Sequence, residues 1–232
     1  ATLHDLELLG TKWDPHATVP SKIEHEHINP ARIGKRLSAT GRIIDKYIRR
    51  RREFVVIQSL IMDDDGLEIR QCLDHVLLNL ENTLGADKKS ASAEGKSVAS
   101  HAKGGADIEI PSVVKTAYQR SLHDREFLLD SSHNEEYTRS IGYQGRLVSG
   151  YVLWAYMIEM PVNFFGQGWL KGGKFSATFI RPGVQEGDLL TCRGFIKDEF
   201  REKDGKKVNL DIWIEKMTGF KVVVGKASGI LS

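Results

Sequence analysis

Residues 130–160 read DSSHNEEYTRSIGYQGRLVSGYVLWAYMIEM. The first twenty are polar and bring His133, Glu135, Glu136, Arg139 and Arg146 close together, with Gly142 and Gly145 on either side of Tyr143 and Gln144. From Gly150 the character changes. YVLWAYMIEM is the most continuously apolar run of helical length in the chain, and Pro161, which lacks an N–H and crowds the preceding turn, is expected to stop it near Met160. A helix apolar nearly all round belongs inside a protein. About forty residues of strand-like sequence follow it, and a sheet long enough to wrap the helix is the simplest way to bury it.

Outward from this stretch, much of the chain reads as strands. IEHEHI alternates, SATGRIIDKYI and the β-branched FVVIQSLIM follow, DDDG (Asp63 to Gly66) is a hairpin turn, and LEIRQCLDHVLLNL starts at Leu67. In the second half IEIPSVVKTAYQ is a first strand and SLHDREFLLD a short helix. FSATFIRPGVQEGDLLTCRGFIKDEF, VNLDIWIEKM and KVVVGKASGIL supply more strands. Ala1 to Ser21 has little pattern: TLHDLELL makes a helical turn or two, and Pro15 and Pro20 break the rest.

These strands repeat. Shifting the numbering by 153 lays Gly187 on Gly34, Gly194 on Gly41, Asp198 on Asp45, Phe200 on Tyr47, Val208 on Val55 and Gly219 on Gly66, with no gap from about Lys22/Phe175 to His75/Ser228. Two copies of one strand meander are implied: residues 1–83, mainly strands; a Ser/Ala/Gly/Lys-rich flexible linker, 84–107; and 108–232. The first copy is incomplete, because nothing in it corresponds to Ile110 to Leu153. Either Ala1–Leu9 is the tail of a helix that starts earlier, or another chain supplies the helix.

NEEYTRSIGYQGRLVSG, Asn134 to Gly150, followed by an apolar helix, resembles the MaoC-like hot-dog proteins, which include (R)-specific enoyl-CoA hydratases and acyl dehydratases. The resemblance implies an α+β double hot-dog, in which an antiparallel sheet curls round a central helix, and the repeat with its flexible linker leads to the expectation that the two copies pack side by side into one continuous sheet. It implies a hydratase or dehydratase acting on an acyl-CoA or similar thioester, with the carbonyl at the helix N-terminus, where backbone N–H groups are free. Coenzyme A enters only as part of the substrate, with no other cofactor and no metal, and the assembly is a homodimer or hetero-oligomer of hot-dog units.

The family's hydratases use an Asp and a His within D-x-N-P-x-H-x-D. If Tyr137 is matched to the family's aromatic residue, Ser132 takes the His position and Phe127 the Asp position. If His133 is matched instead, Leu128 takes the Asp position. Both registers break the pair, so His133, with Asp130 three residues before it, is the candidate proton-transfer group. His133 reads equally as a loop residue capping the turn at Asn134–Tyr137, and Asp130 or Ser131 as an N-cap. Gly150, Ser149, Ser132, Tyr143 and Arg146 are the candidate substrate-binding residues. Gly150 either leaves its N–H free for a carbonyl or packs closely on the sheet, and Ser149 either donates a hydrogen bond or caps the helix. Two other readings stay open: a non-catalytic subunit whose partner carries the intact pair, and altered chemistry in the same pocket.

The remaining features are less specific. Arg49 to Arg52 form a basic hairpin, either solvated or placed to contact coenzyme A phosphates. His25 and His27 share one strand face with no third ligand in view. A net charge of +2 argues against bulk nucleic-acid binding, and 41% apolar with 28% charged residues is an ordinary soluble composition. Cys72 and Cys192, far apart, read as core or near-core thiols in a reducing compartment, and the absence of a signal pattern or membrane-length apolar run leads to the expectation of a cytoplasmic protein.

Overall fold

A computed structural model describes residues 19–50, 52–78, 108–118, 134–140, 143–180, 183–203 and 205–231. The first half contributes β1 (Val19–His27), β2 (Leu37–Arg49), β3 (Arg52–Asp63) and β4 (Glu68–Leu77). The second contributes β5 (Ile108–Glu109), β6 (Val113–Thr116), α1 (Glu135–Ser140), α2 (Gly150–Phe165), a 3-10 turn (Gly166–Trp169), β7 (Lys174–Phe179), β8 (Leu189–Glu202), β9 (Gly205–Lys216) and β10 (Lys221–Leu231). Ten strands form one antiparallel sheet in the order β2-β3-β4-β1-β7-β10-β9-β8-β5, with β6 also on β8. The halves meet where β1 pairs with β7, Lys22 opposite Thr178 through Glu26 opposite Lys174. The expected single continuous sheet is therefore present.

The repeat extends to individual hydrogen-bond registers. The β2–β3 ladder is interrupted between Ile43 and Asp45, and the β8–β9 ladder between Ile196 and Asp198, the same positions 153 residues on. The β3–β4 ladder slips where Met62 faces Glu68, and the β9–β10 ladder where Glu215 faces Lys221. Bulges fix register and local bend, so both meanders curl alike. Two of the three glycine pairs that keep step need left-handed backbone: Gly34 at φ 84° and Gly187 at 90°, Gly66 at 81° and Gly219 at 77°.

The gapless repeat fails at the seam. Ile23 and His25 face α2 together with their partners Ala177 and Phe175. An offset of 153 would place them on Ser176 and Thr178, which alternate to the other side. A one-residue slip in a strand reverses every side chain, so β1 and β7 are out of step by one and the repeat is exact only after the following loop.

α2 corrects a second expectation. It runs five residues beyond Met160, with Pro161 inside it, and ends at Gly166 (φ 56°), whose N–H reaches Val162 O. Proline removes one N–H, but Pro161 is itself buried in the stripe Leu153, Met157, Met160, Pro161 and Phe165, and Phe165 stacks on Trp169 at 5.8 Å. Burial of the last turn offsets the lost hydrogen bond. Nor is the helix buried all round: Tyr151 and Val162 are 41% and 42% exposed, because among the described residues the sheet covers only one side.

Two further expectations change. The strand expected over IEIPSVVKTAYQ is broken into β5 and β6 around Pro111, which has no N–H for the ladder, although Ile110 N still reaches Gly194 O at 3.0 Å. The cap of α1 is Asn134, whose Oδ1 accepts from Glu136 N at 2.8 Å, rather than Asp130 or Ser131. The helical turns expected in Ala1–Leu9, the linker at 84–107 and the helix SLHDREFLLD lie outside the described residues.

Candidate functional site

α2 begins at the seam between the halves. Ser149 caps it, its Oγ accepting from Tyr151 N at 3.3 Å. Gly150 is the first helical residue, and its N–H, too early for an intrahelical acceptor, points out of the helix start. A Cβ on Gly150 would stand 2.6 Å from Pro20 Cγ of β1 and 3.4 Å from the Phe179 ring of β7. Both meanings of Gly150 thus coexist: it packs closely, and it begins the helix.

The loop before α2 is fastened to the β7–β8 connection. Val148 N reaches Val184 O at 2.8 Å, Leu147 bridges Gln185, and Glu186 N reaches Arg146 O at 3.0 Å. The Arg146 guanidinium lies 3.8 Å from Glu186, and the Tyr143 ring covers Gly183, where a Cβ would meet it at 2.9 Å. Arg146 and Tyr143 therefore hold the approach to the helix start, and Ser149 and Gly150 form it. Ser132, His133 and Asp130 lie outside the described residues.

The inner face of the first half carries a polar strip that periodicity alone did not single out. Arg70, Cys72 and Asp74 alternate along β4 beside His27, His25 and Ile23 of β1, and Ser59 of β3 lies opposite Cys72. One repeat later the same positions are Val223, Gly225, Ala227 and Ile212. Comparing the copies position by position would have exposed this: a charge in one where the other is apolar. Asp74 and Ser59 are buried. Burial raises the carboxyl of Asp74 above the ordinary carboxylate range, against the pull of Arg70. Burial also raises the Cys72 thiol. Protein atoms crowd the partly open Tyr151, and with Asp74 and Cys72 nearby its phenol is pushed up as well. The first turn of α2 therefore looks onto this strip.

Its other end is aromatic. The His25 ring, 4% exposed, stacks on Phe175 at 5.0 Å and stands edge-on to Trp154 at 5.6 Å and Trp169 at 6.0 Å. Burial, then His27 and Arg70, lower its pKa to about 3, so at neutral pH the imidazole is uncharged. His27 shares the shift in direction, from burial and Arg70, and lies 5.2 Å away. Among the described residues no group of three or more His, Cys, Asp or Glu is placed to hold a metal ion. On the opposite face of the sheet, Tyr47 Oη lies 3.2 Å from His75 Nδ1 and His75 Nε2 lies 3.4 Å from Glu24. Arg49 and Arg52 pair across a two-residue hairpin with Arg50 at φ 52°. No described helix is long and apolar enough to cross a membrane.

No family model and no curated protein matches the sequence. Solved structures do match. A MaoC-like dehydratase aligns over 99% of this chain and 80% of its own, with a TM-score of 0.72 and 12% identity. A conserved hypothetical protein of Mycobacterium tuberculosis, described as having a double hot-dog fold, aligns over 93% and 76%, at 0.59 and 11%. A putative oleoyl thioesterase from Lactobacillus plantarum aligns over 100% and 81%, at 0.54 and 12%. The ten-stranded sheet, its repeated registers and the helix lying against it make this chain a double hot-dog protein with the fold of the MaoC-like dehydratases.

Proposed function

We propose that this chain acts on an acyl-CoA or similar thioester as a hydratase or dehydratase. The observation that carries the reading is the start of α2: a first-turn N–H at Gly150, set at the seam between Pro20 and Phe179. Oriented N–H groups at a helix start stabilise negative charge building on a carbonyl oxygen, which is what proton abstraction or water addition next to a thioester requires. In this reading Ser149 shapes the turn, Tyr143 and Arg146 hold the approach, and His133 moves the proton with Asp130 orienting it. Ser132 contacts substrate. The Arg49–Arg52 hairpin is exposed at Arg49 and Arg50, a setting suited to phosphate contact. In this reading the protein works in the cytoplasm as a homodimer or hetero-oligomer of hot-dog units, with coenzyme A carried by the substrate.

A second reading is favoured by the polar strip itself. Arg70, Cys72 and Asp74 stand where the second half has apolar residues, so the same fold can run altered chemistry or serve as a non-catalytic subunit. Incubation with enoyl-CoAs and 3-hydroxyacyl-CoAs of graded length separates these. Loss or gain of the enoyl absorbance marks hydration or dehydration, and release of free coenzyme A thiol marks hydrolysis instead. Binding without either change supports the subunit reading.

A further inference from the structure

Five buried nitrogens around one imidazole have no hydrogen-bond partner: Nδ1 and Nε2 of His25, Nε of Arg70, and the indole N–H groups of Trp154 and Trp169. Folded proteins carry few such groups, because each one gives up its hydrogen bonds to water and gains none in return. Here they gather where β1, β4, the second turn of α2 and the 3-10 turn meet, with Phe175 closing one side of the ring.

The chemistry of the set is one-sided. Two indoles and a guanidinium can only donate, and the neutral imidazole donates from one nitrogen and accepts at the other. Water, with two donors and two acceptors, suits such a group less well than a species that only accepts. Arg70 lies opposite His27, with Asp74 further along β4 feeling its charge, yet its Nε is left without a partner. Its charge reaches the imidazoles, since it contributes to holding both in the neutral form. A donor-rich site beside a guanidinium whose Nε has no partner calls for a small anion.

We propose that His25, Arg70, Trp154 and Trp169 form a subsite for a carboxylate on the acyl part of the ligand, so that the chain selects dicarboxylic over simple acyl thioesters. This rests on the thioester reading above. The ruler is α2. From Gly150 to Trp154 is four residues, about 6 Å along the axis, the reach of a chain of roughly five carbons laid against the helix. The second half lacks the guanidinium, because Val223 stands where Arg70 does.

Calorimetry with glutaryl-CoA, valeryl-CoA and free glutarate tests the subsite. Glutaryl-CoA should bind the wild type at least tenfold more tightly than valeryl-CoA. His25→Phe and Arg70→Met should erase that preference while leaving valeryl-CoA within about twofold, and Trp154→Phe serves if either fails to fold. Equal binding of the two esters, or a preference that survives the substitutions, overturns the subsite and leaves the thioester reading standing. Glutarate bound through His25 and Arg70 with neither ester bound keeps the subsite and removes the thioester reading. Binding of none of the three overturns both.

Discussion

Gly150 and Pro20, from opposite halves of the chain, are packed so closely that a Cβ on the glycine would lie 2.6 Å from the proline Cγ. The contact ties the start of α2 to the seam strand β1. Gly150→Ala should therefore destabilise the fold by about 1–3 kcal/mol, although alanine is the better helix former. Pro20→Ala removes the obstructing Cγ. The double variant should recover at least 1 kcal/mol relative to the sum of the two single changes, roughly, as read from denaturant unfolding. Additive effects would show that the two residues are not coupled.

Asp63 and Lys216 occupy the same hairpin position in the two halves with opposite charges. Asp63 accepts from Arg32 Nε at 3.1 Å, and Lys216 lies 2.7 Å from Asp188, so each hairpin is pinned to the loop before β2 or β8 with the polarity inverted. The Arg32 hydrogen bond holds the Asp63 carboxyl below the usual range, assisted by the N–H groups of Leu67 and Asp65 and opposed by burial. A lowered folded pKa gives stability that is present above the unfolded value and is lost as pH falls through the folded one. Asp63→Asn should lower the Tm at pH 7, and the gap to wild type should close as pH drops below about 4. A gap independent of pH would mean the carboxylate charge contributes nothing.

His25 has the opposite linkage to a paired histidine. Folding holds it neutral down to about pH 3, whereas the unfolded chain takes up a proton near 6.5. Stability should therefore fall as pH drops through 6.5, by about 1.4 kcal/mol per pH unit until the folded value is reached. The groups facing it are His27 on its own strand and Arg70 and Cys72 on β4, while β7 and α2 present Phe175 and Trp154. His25→Phe should flatten the acid slope by that amount. An unchanged slope would assign it to other groups.

Cys192 is fully buried, and burial above all pushes its thiol up to about 12. The thiolate is the reactive form. In the native protein at pH 8 a disulfide reagent should modify Cys192 at least a hundredfold more slowly than a free thiol, by rough proportion to thiolate fraction and access. Unfolding in guanidinium should release it. Fast native modification would show that the core opens around β8.

His133→Ala should lower turnover by about two to four orders of magnitude if this residue moves a proton, and Asp130→Asn by less if it only orients the ring. Substrate affinity should largely survive both. Full activity in His133→Ala would remove it from the mechanism and favour the register that puts Ser132 in the family's histidine position.

Local pattern determined much of this protein. Alternation marked most of the strands, the 153-residue offset predicted two matching meanders, and DDDG located a turn whose glycine takes positive φ. These are properties of a few neighbouring residues, and the chain states them directly. Other features depended on residues brought together from afar. Pro161 stays in the helix because Trp169 and the sheet bury the turn after it, a gain that no breaker rule contains. β1 slips by one residue because Ile23 and His25 must match Ala177 and Phe175 across the seam, not their own repeat partners. The two histidines showed in sequence only that they share a face. That this face meets two tryptophans and an arginine whose Nε has no partner was decided by the closing of the sheet, because a side chain's partners in a core come from whichever strands and helix the fold lays against it.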